Sequence, residues 1–313
     1  MPELPEVETM RRGILPVSGS RIEEIEQLAC PLKPILLRPP IGLLRERVIG
    51  RQIREILRVG KRVVLRLDSD DSLIFEPRMT GLVLLAEPDA GDRLRLSHEH
   101  FRIRLQLSGG PVSQLWYWDR RGLGSVYLLD PHQFAARLGG KQLGPDALQM
   151  TAEQLQQRLG ASRRAIKVAL LDQRALAGVG NLYAAEILHV AHIHPATRCT
   201  RLRSRDWQAL HAALHDVLEL AIRYEGSTLA DGTYRNVLNQ SGSYQNHHRV
   251  YARADEVCRS CQVGVVERIV QAQRATFFCP VCQPRNRRNR RGTIGASTSA
   301  PSGTNLANKQ NPI

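Results

Sequence analysis

The 313-residue sequence has no run of about 18 apolar residues, so no segment reads as a membrane-spanning helix. Its start, Met1-Pro2-Glu3-Leu4-Pro5-Glu6, lacks the basic head and apolar stretch of a secretory signal, which implies the cytosol. A reducing compartment disfavours disulfides, so the six cysteines need another explanation. There is no internal repeat. Acidic residues are absent beyond Pro284, where Arg285, Arg287, Arg288, Arg290, Arg291 and Lys309 are found. What is present is ordinary for a globular protein: 42% hydrophobic and 24% charged residues, which excludes a wholly disordered chain. The length suggests two domains, each able to bury a core. The net charge is +14, of which the tail supplies six, so the body is basic too. That points to a polyanion such as nucleic acid. Solubility alone would also explain it, and charge by itself leaves both readings open.

Residues 5–15 read as a helix with Val7, Met10, Ile14 and Leu15 on one face. Strands follow to about residue 130. Phe101 to Leu107 alternates apolar with polar residues, as does Val63 to Asp68, and Leu82–Leu85 and Ser125–Leu129 are further short strands. Gly/Asp clusters at 68–72, 88–92 and 108–111 supply turns. This spacing predicts a sandwich or barrel. From about residue 150 the period becomes helical. Thr151 and Ser162 are candidate caps for helices running to Leu159 and Leu171. Ser204 is the candidate cap of a long helix carrying Trp207, Leu210, Leu214, Val217, Leu218 and Ala221, with Gly226 at its end. Residues 231–248 read as a flexible loop and 284–313 as a disordered tail.

The strongest local pattern is Cys258-x-x-Cys261, then 17 residues, then Cys279-x-x-Cys282. Two thiolate pairs at this spacing can close a tetrahedral site on one structural Zn²⁺, with no position left for water. Reduced cysteines without metal are the alternative. Cys30 and Cys199 have no partner pattern and read as small buried side chains. Between the pairs, Gln273 to Phe278 alternates like a hairpin strand. Arg274 near its tip could grip a phosphate or simply be solvated. At the N-terminus, removal of Met1 would leave Pro2 as a secondary amine, partly unprotonated at neutral pH because an α-amino group has a pKa of about 8. Glu3 and Glu6 could move protons beside it. The same residues also suit a plain helix start. Ala177-Gly178-Val179-Gly180-Asn181 allows a tight reversal and a helix N-terminus open to phosphate, with Lys167 upstream in reach. A plain helix–helix turn fits too. His98 with His100, and His211 with His215, could bind metal, but surface or packing roles fit them better.

Together these motifs resemble the formamidopyrimidine-DNA glycosylase family, in its own branch rather than the endonuclease VIII branch. The resemblance rests on Pro2-Glu3-Leu4-Pro5-Glu6-Val7-Glu8-Thr9 with Arg11-Arg12-Gly13. It rests also on Gly178-Val179-Gly180-Asn181-Leu182-Tyr183-Ala184 with Glu186 and His194-Pro195, and on Gln273 to Pro280. It implies an α+β multidomain protein. Residues 2–135 would be a catalytic β-sandwich domain with a leading helix. Residues 136–253 would be a helical domain with a helix–two-turn–helix and a lesion-capping loop, 254–283 a four-cysteine zinc finger, and 284–313 a basic disordered tail. The implied activity is a bifunctional DNA glycosylase and abasic-site lyase acting on oxidised purines in double-stranded DNA, as a monomer. Pro2 matches the nucleophile and Glu3 the general acid/base. Lys61 and Arg274 are further residues implied at the catalytic centre, both contacting phosphate. Lys167 and Asn181 match DNA phosphate contacts, Met79 and Leu123 the groups filling the vacated stack, and Arg121 the arginine opposite the orphaned base. Tyr244, in Gly242-Ser243-Tyr244-Gln245, matches the region folding over the flipped base.

The chain departs from the family at Asp119-Arg120-Arg121-Gly122-Leu123-Gly124, where Asp-Pro-Arg-Arg-Phe-Gly is common. Glu76 stands where many members have histidine. A noncatalytic zinc protein that binds damaged DNA is the competing reading, and a basic RNA-binding protein a third. Neither needs a free amine at Pro2.

Overall fold

The computed structural model describes residues 2–85, 98–228, 234 and 241–285. The turn expected at 88–92, most of the 231–240 stretch and the tail from 286 lie outside them. Helix α1 (Leu4–Gly13) starts with Pro5 in its first turn, and its leading N–H groups are partly satisfied because the Glu3 N–H donates to the Glu6 carboxylate at 2.8 Å. Strand β1 (Arg21–Gln27), strand β2 (Leu36–Arg38) and helix α2 (Ile41–Val48) follow. Then come β3 (Ile53–Val59), β4 (Arg62–Leu67), β5 (Ser72–Glu76), β6 (Gly81–Leu84), β7 (Phe101–Ser108), β8 (Gln114–Asp119) and β9 (Ser125–Leu129). They form two sheets, ordered β1-β7-β8-β6 and β2-β9-β5-β4-β3, and only β2–β9 pairs in parallel. Val63, Leu65 and Leu67 face Ile103, Leu105 and Leu107 across one buried core, as their alternation requires.

The rest is helical until the cysteines. It comprises α3 (Pro131–Leu138), α4 (Ala152–Leu159), α5 (Ile166–Leu170), α6 (Asn181–Val190) and the long α7 (Ser204–Arg223). Thr151 caps α4 through the Gln154 N–H. The helix expected from Ser162 starts later, at Ile166. Ser162 instead accepts from the Arg164 N–H, and Ala165 bridges to Arg198 as extended backbone. α7 ends on Glu225 and Gly226, both left-handed, with the Gly226 N–H reaching the Ala221 carbonyl at 2.8 Å. Strands β10 (Glu267–Gln271) and β11 (Arg274–Phe278) form a hairpin turning through Ala272 and Gln273, both at positive φ. The loop expected at 231–248 is corrected over its described end. Tyr244–His247 is a short 3-10 turn, and Tyr244 is fully buried against the helical core.

α1 ties the two halves together. Val7, Met10 and Ile14 enter the sandwich core, while Leu4 enters the helical core. Each such side chain contributes about 1.5–3 kcal/mol of burial. Arg58 of β3 clamps the junction, bonding Glu8 of α1 and Asp146 beside the helices. Despite burial, hydrogen bonds from Arg11 and Arg12, joined by the Arg58 charge, bring Glu8 down to about 2. Pro2, two residues before α1, is therefore held where the two halves meet.

Candidate active site

Pro2 is buried beneath a cavity of about 210 Å³ that Lys61, Arg62, Glu76, Arg78, Gly180 and Arg274 also line. Four separate elements deliver these groups. Gly60 and Lys61 form the two-residue turn between β3 and β4, with Gly60 at positive φ. Glu76 ends β5, and its carboxylate bonds Arg62 at 3.2 Å and Arg78 at 3.0 Å. Arg274 opens β11. Burial lowers the pKa of the Lys61 ammonium, and the nearby Glu3 carboxylate partly counters this.

Glu3 lies against the N-terminus of α6, where the Leu182 and Tyr183 N–H groups donate to its two oxygens at 3.1 and 3.4 Å. That approach needs glycine at 180, because a β-carbon there would sit 2.2 Å from the Glu3 carboxyl carbon. Gln173 holds the same turn, donating to the Val179 carbonyl at 2.8 Å and accepting from the Gly178 N–H at 3.0 Å. Behind Glu3 lies Glu6, which accepts from Tyr183 Oη at 2.5 Å and the Ser227 N–H at 2.9 Å. Burial, reinforced by the charge of Glu3, raises the Glu6 carboxyl above its ordinary range.

Lys167 on α5 is fully buried and donates to Asn181 Oδ1 at 2.6 Å. Asn181 Nδ2 in turn donates to the Ala275 carbonyl at 3.0 Å, next to Arg274. Burial and the Arg274 charge bring the Lys167 ammonium down to about 8. Pro2, Glu3, Lys61, Lys167, Asn181 and Arg274, dispersed in sequence, thus form one continuous site. Met79, Arg121 and Leu123 lie on two turns at the adjoining sandwich edge. Thr80 bonds Asp119, and the Arg121 N–H reaches Thr80 Oγ1 at 3.1 Å. Met79 and Arg121 are exposed, and Leu123 is half-buried. Gly122 sits at φ +57°, and a β-carbon there would come 2.0 Å from the Lys33 carbonyl oxygen. Arg62, Arg78 and Gln173 are further groups of the site that the sequence motifs do not single out.

The ring of Tyr244 packs 5.7 Å from that of Tyr183, and none of its surface is exposed. An aromatic this large gains more from the core of α6 and α7 than from water. Of the histidines, His211 bonds the Met150 carbonyl and lies tilted against His215, while His100 packs edge-on against Trp118.

The sulfurs of Cys258, Cys261, Cys279 and Cys282 all lie within 4.8 Å of one another. Cys258–Cys282 and Cys261–Cys279 are each 3.8 Å apart. That matches the edge of a tetrahedron whose centre lies about 2.3 Å from each sulfur, so the four fit a metal ion. The Gly264 N–H donates to Cys261 Sγ at 3.3 Å, as thiolate ligands require.

A β-sandwich joined to a helix–turn–helix half and a four-cysteine hairpin, with Pro2 buried under a basic cavity, defines a nucleic-acid-processing class of protein. The chain belongs to the formamidopyrimidine-DNA glycosylase family. Residues 1–126 match the formamidopyrimidine-DNA glycosylase N-terminal domain, and residues 143–232 match the H2TH domain of the same family. The chain is 40% identical over 284 residues to a formamidopyrimidine-DNA glycosylase of Chloroflexus aurantiacus, covering 90% of this chain and 98% of the relative. Two Lactococcus lactis structures are similar. One is an FPG mutant with a Fapy-dG containing DNA, at TM-score 0.78 and 32% identity, covering 90% of this chain and 100% of the other. The second is Fpg with an abasic site containing DNA, at 0.77 and 31%, covering 90% and 99%. Among the described residues no helix is long and apolar enough to cross a membrane.

Proposed function

We propose that this chain is a bifunctional DNA glycosylase and abasic-site lyase that excises oxidised purines, including 8-oxoguanine and formamidopyrimidines, from double-stranded DNA. The observation that carries the reading is Pro2 beneath a basic cavity, with the Glu3 carboxylate fixed beside it. Removal of Met1 frees a secondary amine. Its nitrogen attacks C1′ of the damaged nucleotide as the glycosidic bond breaks, and the base leaves with a proton. Once the amine proton is lost, the C1′–O4′ bond breaks, O4′ takes a proton from Glu3, and the opened sugar is left as an iminium between C1′ and the Pro2 nitrogen. This acidifies C2′, so loss of a C2′ proton expels the 3′-phosphate, and a second elimination expels the 5′-phosphate. Glu3, held by two α6 N–H groups, is the proton carrier. Lys61, Arg274, Lys167 and Asn181 grip the phosphates around the flipped nucleotide. Met79 and Leu123 fill the gap in the stack and Arg121 faces the orphaned base, which offsets the few kcal/mol of extrusion.

The four cysteines hold one Zn²⁺ whose role is structural, since all four positions are thiolates. It fixes the hairpin that carries Arg274. The relatives solved with Fapy-dG and abasic-site DNA support the substrate class. A strand-incision assay on an 8-oxoguanine:cytosine duplex, paired with the intact mass, tests the reading. Cleaved product from a chain lacking Met1, lost in Pro2→Gly, is expected. Full activity with Met1 retained would contradict it.

A further inference from the structure

A second cavity, of about 410 Å³, shares no lining residue with the first. It lies past the C-terminal ends of α6 and β11, whose opposite ends, Asn181 and Arg274, border the active site. α6 alone is about 15 Å long. Arg201, Arg203, Arg205 and Arg285 line this cavity, and all four are exposed. Arg201 ends a short 3-10 turn and Arg203 is extended, while Leu202 between them packs toward the helical core. Arg285 arrives through a rigid link. Gln283 donates to the Ile193 carbonyl at 2.8 Å and accepts from the Cys279 N–H at 3.0 Å. His194, buried edge-on against Phe278 at 4.7 Å, forms part of the wall. Among the described lining residues Asp206 has the one carboxylate, and it accepts from the Arg203 N–H at 2.9 Å.

We infer that this cavity is a second phosphodiester-binding site, which holds nucleic-acid backbone away from the lesion. Four guanidiniums facing one carboxylate make a site for oxyanions, and arginine forks suit phosphate oxygens. In the sequence four more arginines follow Arg285 within six residues, which continues the same charge. The cavity adds affinity and reach along DNA without touching the chemistry. This rests on the reading of the chain as a DNA-processing enzyme.

The test uses the full chain, the triple variant Arg201→Gln/Arg203→Gln/Arg205→Gln, and a charge-matched control, Lys141→Gln/Arg158→Gln/Arg223→Gln. Affinity for an undamaged duplex several helical turns long is measured against salt concentration. The triple variant should bind at least about tenfold more weakly at moderate salt, with the log–log slope reduced by about two to three, while the control changes little. Single-turnover incision of a saturating lesion duplex should be unchanged. A slope equal to the control's overturns the inference, whatever happens to binding of free mononucleotides. If the parent protein cannot incise the lesion duplex, the proposed activity fails, and the slope comparison still decides this site.

Discussion

The proposed chemistry rests mainly on Pro2 and Glu3, and Gly180 makes room for the carboxylate. Gly180 permits the Glu3 carboxylate to rest on the α6 N–H groups. Gly180→Ala should displace it, cutting incision by about 10²-fold while thermal stability changes far less. Equal losses of both would contradict this. Lys167 gives a pH signature. Its ammonium titrates at about 8 when folded, against 10.5 ordinarily. Below about pH 8 the fold carries that buried charge at a cost. As pH rises from about 8 toward 10.5 the folded group loses its proton first, so the free protein gains stability. Grip on DNA phosphate moves the opposite way. Duplex affinity should fall between about pH 7 and pH 9, and Lys167→Arg should flatten that fall. A wild-type profile already flat there would remove Lys167 from the DNA grip. Pro2, Glu3, Lys61 and Arg274 were legible because short motifs surround them. Arg62, Arg78 and Gln173 were not, because only folding brings a turn, a strand end and a helix end to one cavity.

At the level of elements, legibility followed the purity of each pattern. β7 alternates cleanly and was found. β8, with Leu115 to Asp119 all buried, shows no alternation, and β1 breaks its own at a bulge between Ile22 and Glu24. Helix α4 announced its cap, whereas Ser162 was spent on Arg164. The Arg121 turn shows the reverse, since the departure at Gly122 has a local cause. Its left-handed backbone is pressed on Lys33, so restoring the family residue by Gly122→Arg should lower stability by roughly 1–3 kcal/mol, read from the denaturation midpoint. A neutral result would mean the turn can rearrange. The hairpin β10–β11 adjoins only a small cluster of Ala185, Val250, Cys258, Val266 and Cys279, two of which are cysteines that fit the metal. Chelation should therefore release one zinc, unfold this hairpin and weaken DNA binding, while the sandwich keeps its structure. Unaltered binding after metal loss would show that the hairpin stands without it.

Among the described residues the two largest cores, that of the sandwich and that of the helices, share helix α1. α1 contributes to both, Arg58 locks it to β3, and Pro2 ends up at the seam, where a duplex can be gripped from the sandwich and helical sides at once. Net charge hinted at that use, but charge alone could not separate an enzyme from a binder. The separating feature is the amine that removal of Met1 would free at Pro2, so the most direct measurement is borohydride trapping. The untagged protein is mixed with a duplex containing 8-oxoguanine opposite cytosine, reduced, and digested for peptide mapping. The account predicts a covalent protein–DNA adduct attached to Pro2 and absent in Pro2→Gly. An adduct on a lysine instead, or none even with an abasic-site duplex that the protein binds, would contradict it.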